Sequence, residues 1–365
     1  MTDVYIPDPI VLNILARLPA KPLLRFRCVS THWNCLITDP SFMASRRRIF
    51  LTIKNLHIID HSDTPHSILK ISYPLENLKG KQARVIGTFK GLVLVLYDYR
   101  YRKSSDGIII LCNPFTQMCM ILPDPPETRC CRLAYGHHYC HRIAYAYGFG
   151  YGENLDDLKI VRFKENNELC RYDNRRGVCE VFSFKKMTWS MSQNINIKDI
   201  KFEEIMGKFV NGYLYWLPNK DSMLIVLDVK EMVVSELCLP FRRPYDFHHS
   251  TRLGLIDGCL CLLNKSINKT EFDLWVMNEK SIWLKRCSFT LALDLPSRGR
   301  FHYPICILND GRILIRDSNF QLVIYDISDG SYTLMNLLLD YDDISTVHGI
   351  EYVESLVSPL DVCLA

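Results

Sequence analysis

FVNGYLYWL (209–217) decides how the chain is read. Asn211-Gly212 sits between two short runs rich in aromatic and apolar residues, and an Asn-Gly pair supplies the positive φ of a two-residue type I′ hairpin turn. The same plan returns in LIDGCLCLL (255–263) and LNDGRILIR (308–316), and with Lys-Gly in FKGLVLVL (89–96). Second halves match as well: IIILCNPFTQMCMILP (108–123), MLIVLDVKEMVVSELCLP (223–240) and LVIYDISDGSYTLMNL (322–337). More divergent copies are YGFGYGENLDDLKIVRF with VCEVFSFKKMTWSM (147–163, 178–191), and FDLWVMNEKSIWLKRCSF (272–289).

Five units therefore begin near 85, 145, 207, 253 and 304, with a mean step of about 55 residues, close to the ~50 of kelch-type blades. Each offers four strands, which is one propeller blade. Residues 48–75 offer about three further strands and 347–358 offer one. Three plus one completes a sixth blade and removes the open edge a linear array would leave. The expectation is a mainly β chain with a closed, kelch-like β-propeller of six blades; five or seven remain alternatives. Trp189, Trp216, Trp275 and Trp283 fall in strand cores and read as blade packing.

The 365 residues are 48% hydrophobic and 23% charged, enough apolar material for a real core and far from a disordered composition. No apolar run approaches a membrane span, and MTDVYIPDPIVLNIL lacks the basic start of a signal peptide. Fifteen scattered cysteines, an odd number, then read as reduced and mostly buried thiols of a cytoplasmic or nuclear protein. A net charge of +4 is too small to imply nucleic-acid binding.

Residues 8–37 have a different periodicity. Ile10, Val11, Ile14, Leu15 and Leu18 form one helical stripe, with Asp8 as N-cap and Pro9 at the first helical position. Pro19 ends that helix, Pro22 opens a second, and a third carries Trp33 and closes at Asp39-Pro40. Three short helices cannot bury this much apolar surface alone, so they need a partner or the following domain.

IPDPIVLNILARLPAKPLLRFRCVSTHWNCLITDPSF (6–42) resembles an F-box. Asn13, Pro22 and Thr31-His32 depart mildly from the family pattern and remove no apolar anchor. From about 85 to 359, NPFT (113–116), the hairpins above, DLWVM, LVIYD and EYVESLVSP resemble the F-box-associated interaction domain of plant F-box proteins. The resemblance implies an F-box over 1–45 and a target-recognition propeller over 46–365. It implies docking on a Skp-type adaptor, and through it on cullin and RING subunits. The implied adaptor-contact positions are Ile6, Pro7, Ile10, Ile14, Leu18, Pro19, Leu23, Leu24, Val29 and Trp33, in or under the contact. It also implies a receptor for a target protein, with no catalysis, no cofactor and no metal.

Charge partition points to where a target would bind. Tight first and third turns of every blade lie on one face; middle loops and connectors lie on the other. The latter set is net basic and the rest of the propeller net acidic. It collects Arg100, Arg102, Arg129, Arg132, Arg175, Arg176, Arg242, Arg243, Arg298 and Arg300, with Tyr245 among the interleaved aromatics. Arg with Tyr is a hot-spot composition. Cys130, Cys131, His137, His138, Cys140 and His141 are zinc-type ligands but match no compact metal spacing, and read as a polar loop. No nucleophile elbow or phosphate loop appears; Gly148-x-Gly150-x-Gly152 sits in a strand and turn. A propeller enzyme would need titratable groups converging in its channel, and the inner strands read as mainly apolar or glycine.

Overall fold

The computed structural model describes residues 6–53, 55–61, 67–72, 78, 81–98, 107–126, 145–152, 158–164, 178–196, 202, 204–219, 222–242, 251–265, 271–291, 303–317, 321–338 and 347–364. Four short helices open the chain: α1 (Asp8–Ala16), α2 (Ala20–Phe26), α3 (Thr31–Thr38) and α4 (Pro40–Ala44). Then come β1 (Arg47–Thr52), β2 (Leu56–Asp60) and β3 (Ser67–Ile71). The first complete blade is β4 (Gln82–Phe89), β5 (Leu92–Asp98), β6 (Ile108–Asn113) and β7 (Met118–Ile121). The second is β8 (Tyr145–Tyr151), β9 (Leu158–Lys164), β10 (Val178–Ser183) and β11 (Thr188–Asn196). The third is β12 (Lys208–Val210), β13 (Tyr213–Trp216), β14 (Met223–Asp228) and β15 (Val233–Cys238). The fourth is β16 (Thr251–Ile256), β17 (Cys259–Lys265), β18 (Glu271–Met277) and β19 (Trp283–Thr290). The fifth is β20 (Tyr303–Ile307), β21 (Ile313–Arg316), β22 (Gln321–Tyr325) and β23 (Tyr332–Leu338), followed by β24 (His348–Val353) and α5 (Asp361–Leu364).

Six four-stranded antiparallel sheets result, and the sixth has the order β24-β1-β2-β3. The three-plus-one closure is thus a strand pairing, Arg47 opposite Val353 through Thr52 opposite His348. Inner strands β4, β8, β12, β16, β20 and β24 contact one another in a closed ring. Blades pack through alternating apolar faces, and glycine is required where they approach most closely. A Cβ on Gly148 would lie 2.6 Å from Trp216 and 2.8 Å from Leu214, and one on Gly150 would collide with Phe209, which accounts for these two glycines of the YGFGYG stretch. Trp216 is fully buried and donates to the Tyr147 carbonyl of the neighbouring blade at 2.9 Å. Trp189 and Trp283 bridge blades in the same way, to Pro123 O and Cys238 O.

Three hairpins have the expected left-handed pair: Lys90-Gly91, Asn211-Gly212 and Asp257-Gly258. The fourth differs. Only Gly311 has positive φ, and Leu308 N–H donates to Arg312 O at 2.8 Å, which makes 309–311 a three-residue loop. The N-terminal region also differs in detail. Pro7, not Asp8, occupies the N-cap of α1, and Asp8 faces His32 of α3 at 2.9 Å. A fourth helix follows Asp39, whose carboxylate accepts from Ser41 and Phe42 N–H. These bonds and that of the Ser41 hydroxyl hold the Asp39 carboxyl below its ordinary value, so the residue is a cap as well as a stop.

Among the described residues, ten cysteines are free. Cys112, Cys179, Cys261 and Cys306 are buried, but Cys28, Cys35, Cys119 and Cys238 are exposed, so the thiols are not mostly buried. Burial pushes the Cys179 and Cys306 thiols up to about 12. No helix among the described residues is long and apolar enough to cross a membrane.

Candidate functional site

Helix α1 divides its apolar residues between two faces. Val11 and Leu15 point inward to a core shared with Leu23, Ile37, Phe42 and Met43. Ile6 precedes the helix and, with Ile10 and Ile14, lies one turn apart along its outer side; each is about half exposed (51%, 53% and 53%). Val29, just past α2, is 61% exposed. Exposed β-branched residues in this number are costly to leave in water and mark a contact surface.

The other sequence-expected adaptor positions divide by depth. Pro7 and Pro19 are exposed, each at the N-cap of a helix. Leu18, Leu24 and Trp33 are half-buried against the core, and Trp33 packs edge-on against Phe26 at 5.3 Å. Leu23 is fully buried and lies under the surface, where it supports the helices.

The helical region does not stand alone. Phe115, from the NPFT turn between β6 and β7, enters its core, and Leu356 packs beside it. Asn113 holds that turn: its carbonyl oxygen accepts from Phe115 and Thr116 N–H, and its amide donates to Ser355 O and Val357 O. Arg46 joins the two parts. It is 2% exposed, donates to Ala16 O at 2.7 Å and Leu18 O at 2.9 Å, and meets Glu354 Oε2 at 2.6 Å. Its guanidinium lies over the rings of Phe42 and Phe115. The arginine thus satisfies carbonyls at the C-terminal end of α1, where a cation is favoured. Arg48 adds Asp60 at 2.9 Å and Glu354 at 3.7 Å. Burial pushes the Glu354 carboxyl above its ordinary value, against the pull of Arg46 and Arg48. Sequence reasoning assigned no role to Arg46–Arg48. The available signal was their position, between the last helix and the first β-run.

Of the expected target-face residues, Arg242 is described and exposed, beyond the end of β15 that points away from the tight turns. Arg100, Arg102, Arg129, Arg132, Arg175, Arg176, Arg243, Tyr245, Arg298 and Arg300 lie outside the described residues, as does the Cys/His stretch 129–142. Among the described residues no group of three His, Cys, Asp or Glu could hold a metal ion.

The channel adds to one expectation. Its inner strands are mainly apolar or glycine, but they also carry Arg84, Lys208, Arg252, His348 and Glu351. Inner strands keep one edge toward the axis, where a long polar side chain finds room. Apolar alternation in the sequence reports only the faces that meet neighbouring blades. Arg252 is committed to Glu204 at 2.8 Å. Loss of water lowers His348 to about 3, helped by the charges of Arg84, Arg252 and Lys208.

The helical cap and the six blades agree with the comparison to known families. The F-box-associated β-propeller domain matches residues 41–359, and the F-box domain matches 5–45. The chain belongs to the F-box-associated β-propeller family. An F-box/kelch-repeat protein of Arabidopsis thaliana is 25% identical over 387 residues, covering 98% of this chain and 96% of that one. An F-box protein of the same plant is 25% identical over 363 residues, covering 88% and 82%. Among solved structures, a Lactobacillus plantarum protein is similar at 11% identity with TM-score 0.44, over 80% of this chain and 82% of that one. In this family member the F-box core is completed by propeller residues, Phe115 and Leu356.

Proposed function

We propose that this chain is the substrate-receptor subunit of a Skp–cullin–F-box ubiquitin ligase, acting in the cytoplasm or nucleus. The F-box holds the Skp-type adaptor, the propeller holds the target protein, and a separate enzyme transfers ubiquitin. The contribution is proximity: a held target lysine has a raised effective concentration at the transfer enzyme. The observation that carries this reading is the outward apolar stripe Ile6, Ile10 and Ile14 on a helical cap whose inward face is already filled.

The test is adaptor capture by the full chain. Burying one such side chain contributes ~2 kcal/mol, so Ile10→Asp with Ile14→Asp is expected to reduce adaptor binding by well over tenfold. Both positions are exposed, so the thermal unfolding of the variant should match the parent. Undiminished adaptor capture by the folded variant would overturn the assignment.

On the target side, the basic connector beyond β15 is the recognition element. Arg242→Glu with Arg243→Glu is expected to abolish target capture in proteasome-blocked affinity purification and to spare the adaptor. Target binding should also weaken as salt rises, because exposed charges are screened over ~8–10 Å. Retention of every target by the double reversal would place recognition elsewhere on the propeller.

A further inference from the structure

The channel opens beneath the F-box into a cavity of about 520 Å³. One wall is α4, through Met43 and Ala44; the others are the ends of the inner strands and the chain after β24. Leu255, Ile307 and Val357 make much of it apolar. That combination of size, concavity and apolar wall is what small-molecule sites have.

Its charges are unevenly satisfied. Two carboxylates face the cavity, and both have cationic or N–H neighbours, although Glu351 Oε1 makes no hydrogen bond among the described residues. Glu351 accepts from Asn309 N–H at 2.9 Å and lies 3.4 Å from His61 and 3.6 Å from Arg47. Glu354 is held by Arg46 and Arg48. Lys208, the first residue of β12, also lines the cavity, and no described residue gives its ammonium an ion pair or hydrogen bond. It is half-buried, and its charge is felt at Cys306 and His348 on inner strands farther round the ring, so it lies toward the axis. An ammonium at the end of an apolar cavity, beside carboxylates that already have partners, is set to receive an anion. In such surroundings a charge-assisted hydrogen bond is stronger than in water.

We infer that this cavity is a binding site for a small organic anion, with Lys208 taking the anionic group and the Met43–Leu255–Ile307 wall taking an apolar body. A ligand seated there touches the F-box and the inner strands of several blades at once. The inference does not depend on adaptor binding.

The test uses the full chain and two probes of the same shape: 8-anilinonaphthalene-1-sulfonate and the uncharged N-phenyl-1-naphthylamine. Titration calorimetry should give one sulfonate probe per chain, bound at least about tenfold more tightly than the neutral probe. Lys208→Met should remove that preference while leaving neutral-probe affinity within about threefold, and Lys208→Arg should retain it. Ala44→Phe, which fills the cavity from the F-box side, should weaken both probes. Thermal unfolding of each variant shows that the fold is kept. Equal affinity for the two probes, or a preference that survives Lys208→Met, would overturn the inference, as would strong binding of both probes by folded Ala44→Phe.

Discussion

Glu354 shows how much one residue can carry. Its carboxylate meets two arginines in a region closed to solvent. Removing one partner of such a set leaves an uncompensated buried charge. Glu354→Ala is therefore expected to destabilise the protein by about 3–5 kcal/mol in urea titration. Arg46→Met with Glu354→Leu should cost less than the sum of the two single changes, because no lone charge remains. His348 governs a different variable. Its folded-state value of about 3 lies below the ordinary ~6.5, so the neutral imidazole is favoured by folding. Its full contribution is present above pH ~6.5 and is lost as pH falls toward 3, where the unfolded chain binds the extra proton. Between pH 7 and 5 this should reduce stability by about 2 kcal/mol, and His348→Gln should flatten that part of the pH–stability curve.

At the scale of elements, blade packing and turn chemistry can be separated by two glycines. Gly148 has no room for a Cβ, so Gly148→Ala must displace Trp216 or Leu214 and should cost about 1–3 kcal/mol. Gly212 has open space around it but φ +87°, so Gly212→Ala should cost about 1 kcal/mol through backbone strain alone. Strands β6 and β7 carry another consequence. Cys112 and Cys119 are directly opposed; Leu122 N–H donates to Ile109 O, which makes 112/119 a non-hydrogen-bonded pair with its side chains close. Diamide is expected to take two electrons from this pair and join the sulfurs, both thiols giving up their protons. Mass spectrometry of the 112–119 peptide checks this, with the exposed Cys28 and Cys238 as unpaired references.

The hairpins were legible because Asn-Gly and Asp-Gly between apolar runs have one local solution. The loop at 309–311 was not, since Asp310-Gly311 fits either a two- or a three-residue turn and strand register decides. Helix α4 was hidden because Asp39-Pro40 reads equally as a stop and as a start.

For the whole molecule, repeat period and leftover strands were enough to predict six blades and the pairing of chain ends. The joint between F-box and propeller was not legible. Phe115 looks like a turn residue until the turn is placed beneath α1, and Arg46 looks like surface charge until its 308-residue separation from Glu354 is closed. A propeller closed by strand pairing should unfold as a unit. Truncation after residue 346 removes β24 and leaves the sixth sheet without its inner strand. The truncated chain is expected to lose cooperative thermal unfolding altogether, whereas loss of α5 alone should shift the midpoint only slightly.

The salt link from Arg46 to Glu354 also sets a timetable for synthesis. The F-box leaves the ribosome before the propeller, yet of the groups that seat it Phe115 follows about seventy residues later and Glu354 and Leu356 about three hundred. Until residue 354 is out, the cap has no carboxylate for Arg46 and the ring of blades has no closing strand. A translation product cut short before this point therefore presents a helical cap without its seat. Arrival of residues 348–356 completes the ring and anchors the cap together, so only a chain made through this segment can offer both surfaces in fixed relation.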